Sequence, residues 1–357
     1  MKTLRRYLAA EIIAATGLVI LALLMLFAFF DLVEEMKDLG RGGYRMQHIA
    51  AHVLLSLPAH VYEVFPIAAL IGTLFAMAQL VASTEYTVIR ASGVSLLRLN
   101  GALLSVGAVF AVVTFAFGEF VGPPAEQFAQ RLRSLAIAGI VAQEFRSGLW
   151  VKDGRDFVNV GEVTPEGQLK RIRIYEFDED YRLRTLSLAE NGSYRGDKTW
   201  MLSGVVRTTF EGSRTQVRKI PELEWPSVLE PQLLSMLLVK PDRMSAWSLY
   251  SYSQHLKENR QKALRYEIAL WMKGMYPLAV LVMMVLAVPF ASFQKRRGGV
   301  GARIFTGIML GLAFYTLNRL FGALGLLYDW PAAFAAVTPT LVFLTIALGM
   351  MWYQERR

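Results

Sequence analysis

Long uncharged runs are the feature that most restricts how this 357-residue chain can fold. Five runs hold 18 to 24 residues without a charged side chain, and Arg319 interrupts a sixth after 15 residues. The runs are Ile12–Phe30, Val64–Val81, Asn100–Phe117, Met275–Phe293, Ile304–Asn318 and Trp330–Tyr353. A helix needs about 20 apolar residues to cross a bilayer, so the pattern predicts six transmembrane helices. The first run could instead belong to a signal peptide, but no small-residue cleavage site follows it.

The stretch between the third and fourth runs has a different character. Apolar and polar residues alternate in "KRIRIYEF" and "YRGDKTWMLSGVVRTTF", and turn pairs stand at Asp153-Gly154, Asn191-Gly192 and Gly196-Asp197. This pattern is typical of antiparallel β-structure. We expect Ile172 and Ile174 to face the interior of an inserted all-β domain, of the jelly-roll or β-sandwich type.

These patterns predict an α-helical membrane protein with six transmembrane helices and an inserted β-domain. Residues 1–120 would hold helices 1–3 and a short helix at 83–93. Residues 121–262 would hold the β-domain and end in a polar helical stretch, and residues 263–357 would hold helices 4–6.

The orientation follows from the charges of the short loops. Eleven Lys and Arg residues lie in short segments on the side of the N-terminus, against three, Lys37, Arg41 and Arg45, on the other side. Cytoplasmic loops carry an excess of Lys and Arg. We therefore expect both termini in the cytoplasm and the β-domain on the opposite side of the membrane.

Most signatures of catalysis are absent from the sequence. It contains no G-x-x-x-x-G-K-[ST] motif, so ATP is not bound through a P-loop in this chain. His48 and His52 have the spacing of a metal pair, but a third ligand is lacking, and an interfacial polar role is favoured. We attribute the net charge of +9 to the Lys and Arg residues that set the orientation in the membrane, and not to binding of nucleic acid. We expect neither a cofactor nor a metal in this chain.

Ionisable residues crowd the predicted outer ends of the helices. They include the acidic residues Asp31, Glu34, Glu35 and Asp38 at the end of helix 1, Glu119 after helix 3, the pair Arg131 and Arg133, and Arg319 in helix 5. One interpretation is a set of anchors in the headgroup layer. The other is a polar rim around a cavity for a charged amphiphile, because arginine presents a planar fork of donors to phosphate.

The stretch "STEYTVIRASGVSLLRL" at 83–99 interrupts the apolar pattern on the predicted cytoplasmic side. Thr84 can cap a helix, and Glu85 suits the positive end of the helix dipole. The apolar side chains that share one helical arc are Tyr86, Ile89, Leu96 and Leu97. The residues alone leave two interpretations open: a helix lying on the membrane surface, or a helix that docks into a cytoplasmic partner.

Four collinear segments resemble one family over essentially the whole chain. They are "FPIAALIGTLFAMAQLVASTEYTVIRASG" at 65–93, "GEFVGPPAEQFAQRLR" at 118–133, "GLWVKDGRDFVNV" at 148–160 and "GLAFYTLNRLFGALGLLYDWPAAFAAVTPTLVF" at 311–343. This order of elements is similar to the YjgP/YjgQ permeases, the LptF and LptG subunits of the lipopolysaccharide export transporter of Gram-negative bacteria. The match is closer to the LptG branch.

The resemblance implies a multi-pass permease of an ABC transporter in the bacterial inner membrane, with its β-domain in the periplasm. Its expected partners are a second, LptF-like permease, an LptB-like ATPase dimer that binds the ATP and Mg²⁺, and an LptC-like bridge protein anchored in the membrane. Lipopolysaccharide and membrane lipids are the expected ligands, and nucleic acid is not.

The resemblance also implies roles for individual residues. Glu85 would contact the ATPase, with Tyr86, Ile89 and Arg90 beside it in the coupling helix. Helices 1 and 5 would form gates against the partner permease. The residues expected to contact lipopolysaccharide are Lys37, Arg131 and Arg133 for its phosphates, and Phe27, Phe30, Phe314, Tyr315 and Phe321 for its acyl chains. The family has a lysine at the position aligned with Asp31, which puts that phosphate contact in doubt.

Three alternatives remain beside an LptG-like permease. The chain could be the paralogous LptF subunit of the same transporter. It could instead be a non-transporting scaffold or sensor whose β-domain binds an envelope protein. An ion-coupled transporter is disfavoured, because the centres of the apolar runs carry no ionisable residue.

Overall fold

The computed structural model combines a helical bundle with one β-sheet. It describes residues 2–83, 85, 88, 91–92, 96–137, 148–164, 167–212, 214–227, 240–258, 261–293 and 300–356. The helices are α1 Lys2–Glu35, α2 Met46–Ala82, α3 Leu96–Ala116, α4 Gly122–Ala136, α5 Ala246–Glu258, α6 Leu264–Phe293, α7 Val300–Leu327 and α8 Ala332–Glu355.

Six of the spans in this bundle are long and apolar enough to cross a membrane. They lie in α1, α2, α3 continued into α4, α6, α7 and α8, which confirms the six predicted transmembrane helices. The end of the bundle at which α1 finishes and α2 begins is called the sheet-side end below, because α4 leads from it into the strands. The opposite end, where α2 finishes, is the terminus-side end.

Helix α2 lies at the centre of the bundle. It packs against α1, α4, α6 and α7, and side chains from all six spanning helices join one apolar core. Gly72 explains how closely α1 approaches: a Cβ at this position would lie 2.7 Å from the Cα of Thr16. Such contacts between small residues are typical of helix packing in membranes, where lipid is as apolar as the core.

A π-helical turn at Phe117–Val121 joins α3 to α4. The turn passes directly beside α2, and a Cβ at Gly118 would lie 2.6 Å from the ring of Tyr62. Glycine therefore permits the contact at this bend. The bend carries Glu119 toward the segment that returns from the sheet.

The sheet consists of six antiparallel strands in chain order. They are β1 Leu149–Asp153, β2 Asp156–Val163, β3 Leu169–Phe177, β4 Leu183–Gly196, β5 Thr199–Glu211 and β6 Arg214–Pro226. This confirms the inserted antiparallel domain and refines it, for the described strands, to a single meander. The strands lie inside the predicted range 121–262, whose limits stay predictions.

One face of the sheet is apolar. Ile172 and Ile174 are buried on it together with Val158, Val160 and Trp200, as the alternation in "KRIRIYEF" indicates. The prediction of a turn at Asn191-Gly192 is wrong, because both residues lie inside β4 and pair with Ser203 and Leu202 of β5. A Cβ at Gly192 would lie 2.8 Å from Ile172 Cδ1, so this glycine makes room for the core instead of turning the chain.

Candidate functional site

Charged residues meet in two clusters at the sheet-side end of the bundle. In the first, the Arg133 cluster, the guanidinium of Arg133 on α4 pairs with Asp38 and, at 3.3 Å, with Glu35. The second oxygen of Glu35 lies 3.6 Å from His52 of α2. Three helical segments thus share one buried carboxylate, Glu35, whose side chain is 9% exposed.

Tyr44 completes the Arg133 cluster from the loop between α1 and α2. Its hydroxyl donates to Glu35 at 2.7 Å. Burial, together with the adjacent Glu35 carboxylate, raises the pKa of Tyr44 well above its usual value. The phenol therefore stays protonated and keeps donating this hydrogen bond.

The second group, the Arg243 cluster, gathers around the segment that returns from the sheet. Arg243, in a 3-10 turn at Pro241–Arg243, donates to Glu126 of α4 at 2.7 Å and lies 3.8 Å from Glu63 of α2. His60 of α2 lies 3.7 Å from Glu63 and 2.6 Å from Asp31 of α1. The cluster therefore connects α1, α2, α4 and the returning segment through one chain of charges.

Arg243 stays charged in this setting. Burial alone would lower its pKa, but the Glu126 and Glu63 carboxylates outweigh burial and raise the pKa of Arg243 above its usual range. The side chain of Glu126 is only 2% exposed. Loss of the arginine would leave that carboxylate buried without its cation, which is costly.

The Arg243 cluster ties together the two connections between the bundle and the sheet. Helix α4 leads out to the strands and carries Glu126, while Arg243 lies on the way back. Glu119 adds a second tie, because its carboxylate accepts from the backbone N–H of Ala246 at 2.7 Å and of Trp247 at 3.3 Å. A carboxylate at the start of α5 is favoured by the helix dipole. Both connections between the bundle and the sheet are therefore held to each other at the sheet-side end.

The apolar surface of the bundle is distributed unevenly. In α1 only 11% of the most apolar stretch is buried, and in α7 only 17%. Leu18, Leu21 and Met25 of α1 and Phe305 and Leu312 of α7 are among the exposed side chains. These two helices therefore present apolar faces to something other than this chain.

Comparison with known proteins accounts for this combination of elements. The family model "Lipopolysaccharide export system permease LptF/LptG" matches residues 6–353. The chain belongs to the LptF/LptG permease family. It is 32% identical to the lipopolysaccharide export system permease protein LptG of Haemophilus influenzae, over 99% of this chain and 98% of the relative. It is also 32% identical to LptG of Escherichia coli K12, over 98% of this chain and 97% of the relative.

Asp31 stands where the LptF/LptG resemblance leads us to expect a lysine. The structure gives Asp31 a partner, because one of its oxygens lies 2.6 Å from Nε2 of His60. His60 in turn is 3% exposed and stacks on Phe27, with 4.8 Å between the ring centroids. The side chain of Asp31 thus belongs to the Arg243 cluster, and the ring of Phe27 packs against His60 of that cluster.

The three basic residues predicted to contact lipopolysaccharide phosphates differ in their surroundings. Arg133 is held by Glu35 and Asp38. Lys37 and Arg131 are exposed, and neither lies within ion-pair distance of a carboxylate in the part of the chain that the structure describes. Their contacts with lipid stay predictions.

The aromatic residues predicted to line an acyl-chain cavity lie in different parts of the bundle. Phe30 is 58% exposed on α1, and Phe321 on α7 packs against Trp330. Phe314 lies in the apolar core against Phe343. Tyr315 lines a cavity between α2, α6 and α7. The five predicted wall residues, Phe27 included, therefore do not share one surface in this structure, and their role in binding stays a prediction.

Glu85 lies at the terminus-side end. Its backbone is helical, its side chain is exposed, and its carboxylate lies near the hydroxyl of Tyr7 on α1. Tyr86, Ile89 and Arg90 lie outside the described residues. Ser92 donates its N–H to the carbonyl of Val88 at 2.9 Å.

Proposed function

We propose that the chain is the LptG-like permease subunit of an ABC transporter that extracts lipopolysaccharide from the inner membrane and passes it to a periplasmic bridge. The observation that carries the proposal is the family match over residues 6–353. The named relatives are permease proteins of a lipopolysaccharide export system. Six candidate spans and an inserted sheet agree with that class.

The exposed faces of α1 and α7 support a second, LptF-like permease as partner. Both helices are long enough to span a membrane and are scarcely buried by this chain. In the proposed complex they form the two gates of a cavity between the permeases. Lipopolysaccharide enters the cavity between these gates and leaves upward along the sheet domains to an LptC-like protein.

The energy for this transfer has to come from another subunit. Removing acyl chains from a bilayer costs about 0.8 kcal/mol per buried methylene, and the sequence contains no P-loop. An LptB-like ATPase dimer, holding ATP and Mg²⁺, supplies the energy at the cytoplasmic face. This orientation rests on the excess of Lys and Arg in the loops at the terminus-side end.

Glu85 is the proposed contact with the ATPase. Its side chain is exposed at the end of the bundle that would face the cytoplasm, and its carboxylate lies near Tyr7 at the start of α1. A push on the short helix at 83–93 would therefore reach α1, one of the two gates. Tyr86, Ile89 and Arg90 are proposed to flank the contact.

The test is lipopolysaccharide release from proteoliposomes that contain both permeases, the ATPase and the bridge protein. Glu85→Lys should lower ATP-dependent release about tenfold, equivalent to about 1.4 kcal/mol, because a cation replaces the proposed anionic contact. Glu179→Lys is the matched control, since Glu179 is a 91% exposed glutamate in the sheet domain. Normal release and normal ATPase stimulation with Glu85→Lys would exclude the coupling role. A chain that never copurifies with an ATPase would favour a scaffold or sensor.

A further inference from the structure

A cavity of about 320 Å³ lies between α2, α6 and α7 at the sheet-side end. Six positions on α6, from Arg265 to Tyr276, line it at spacings of three and four residues. Positions on α7 from Tyr315 to Leu326 line it in the same way. One face of each helix therefore forms a wall, and α2 closes the third side. This cavity is called the α6–α7 well.

Glycine makes room for the α6–α7 well. Gly322 faces Met272 across it, and a Cβ on Gly322 would lie 2.8 Å from Met272 Cε. The upper wall is apolar and includes Ile268, Ala323 and Leu326. Tyr62 and Tyr276 form the opposite end of the well, its floor. Their rings stack with 4.8 Å between the centroids, and the Tyr276 hydroxyl donates to the carbonyl of Glu63 at 3.2 Å, which holds the floor in place.

Three cations converge on the α6–α7 well, namely Arg265, Lys273 and Arg319. Within the described ranges, no carboxylate lies within ion-pair distance of any of the three. The acidic lining residues are Glu63 and Asp242, and Glu63 already lies close to His60 and Arg243. The well therefore has an excess of positive charge.

The buried cation of the well is held in place. Lys273 is 9% exposed, donates to the carbonyl of Met244 and lies 5.5 Å from the centroid of the Tyr62 ring. The guanidinium of Arg319 lies 5.4 Å from the centroid of the Tyr315 ring. Two arginines and a lysine around one space suit phosphate, which accepts hydrogen bonds from several directions.

We infer that the α6–α7 well binds the phosphate headgroup of one anionic glycerophospholipid. A free anion would not need the apolar upper wall, whereas a lipid covers that wall with the start of its acyl chains. The volume lies at the small end of ligand cavities, which suits one phosphate headgroup better than a bulky glycolipid. The site lies among three helices of a single chain, and its existence does not depend on lipopolysaccharide transport.

The test counts lipids on the full-length, detergent-purified chain by native mass spectrometry. Phosphatidylglycerol, phosphatidylcholine, lipopolysaccharide and inorganic phosphate are titrated separately. We expect one tightly retained phosphatidylglycerol, no comparable retention of phosphatidylcholine, and no displacement by inorganic phosphate. Replacing Arg265 and Arg319 together by glutamine should weaken the retained site about tenfold or more.

Two further variants separate the site from general effects of charge and stability. Lys262→Gln removes a positive charge just before α6 at an 87% exposed side chain, and it should leave phosphatidylglycerol binding unchanged. Gly322→Leu fills the well without changing its charge and should abolish the retained lipid. Equal retention by the wild type and all variants would overturn the inference. Competition by inorganic phosphate, or preferential retention of lipopolysaccharide at the same residues, would overturn the assignment to a phospholipid.

Discussion

Helices α1 and α2 are both long, apolar and antiparallel neighbours, yet they differ in what surrounds them. The most apolar stretch of α1 has a mean hydropathy of 2.8 and is 11% buried, whereas that of α2 has a mean hydropathy of 2.1 and is 83% buried. The more apolar helix is thus the more exposed one. Apolarity marks a helix that crosses the membrane, but in lipid it does not decide which helix forms the centre of the fold.

Close packing and buried charge make α2 the central helix. Gly72 admits α1, Gly118 lies against Tyr62, and the sheet-side end of α2 carries His60 and Glu63 into the Arg243 cluster. Helices α1 and α7 contribute less to the core and present apolar faces outward. In the proposed transporter these faces form the gates, while the closest packing and the buried charges are concentrated on α2.

The largest effect is expected where the sheet-side end of α2 is tied to the returning segment. Arg243→Ala should lower the free energy of unfolding by about 3–5 kcal/mol, because it leaves Glu126 buried without its cation. The measurement is unfolding in mixed detergent micelles. Arg195→Ala is the control, since Arg195 and Glu224 are both about two-thirds exposed, and it should cost about 0–1 kcal/mol. Equal losses would show that the cluster does not stabilise the bundle.

Leucine-to-alanine substitutions on α2 and on α1 compare the contributions of the two helices to stability directly. Leu70 of α2 is fully buried, and Leu70→Ala should cost about 2–5 kcal/mol through lost packing and the cavity left behind. Leu18 of α1 is 71% exposed, so Leu18→Ala should change the unfolding of the isolated chain by less than about 0.5 kcal/mol. The same detergent titration measures both. A large loss at Leu18 would mean that α1 is buried more deeply than the structure indicates.

Much of this organisation follows from the sequence, but the contrast between helices does not. Uncharged runs predict six spans because length and apolarity are local properties. These runs do not indicate which side of a uniformly apolar helix faces the core. Phe314 is an example, because it was predicted for a cavity wall but lies in the core. The pairing of Glu126 with Arg243 was missed because 117 residues separate the partners. The signals that did exist were a glutamate within "EQFAQRLR" and the spacing of His60 and Glu63 on one helical face.

A smaller effect is expected at two glycines, one on each helix. Gly72→Ala places a Cβ against the backbone of Thr16 and should cost about 1–3 kcal/mol as α1 is pushed away. Gly17 has nothing within 4 Å of such a Cβ. Gly17→Ala should therefore stabilise the chain by about 0.5–1 kcal/mol through helix propensity. Thermal unfolding of the purified chain distinguishes these opposite signs, and a shift in the same direction for both variants would contradict the close approach of α1 to α2.

The most direct test of the account is site-specific photo-crosslinking in the assembled complex in its native membrane. A photoreactive residue replaces either an exposed leucine, Leu21 of α1 or Leu312 of α7, or a buried leucine of α2, Leu74. We predict crosslinks to a second permease chain or to lipopolysaccharide from Leu21 and Leu312, and none from Leu74. Crosslinks only to bulk phospholipid at the exposed positions, or equal crosslinks to lipopolysaccharide from Leu74, would contradict the assignment of α1 and α7 as the gates.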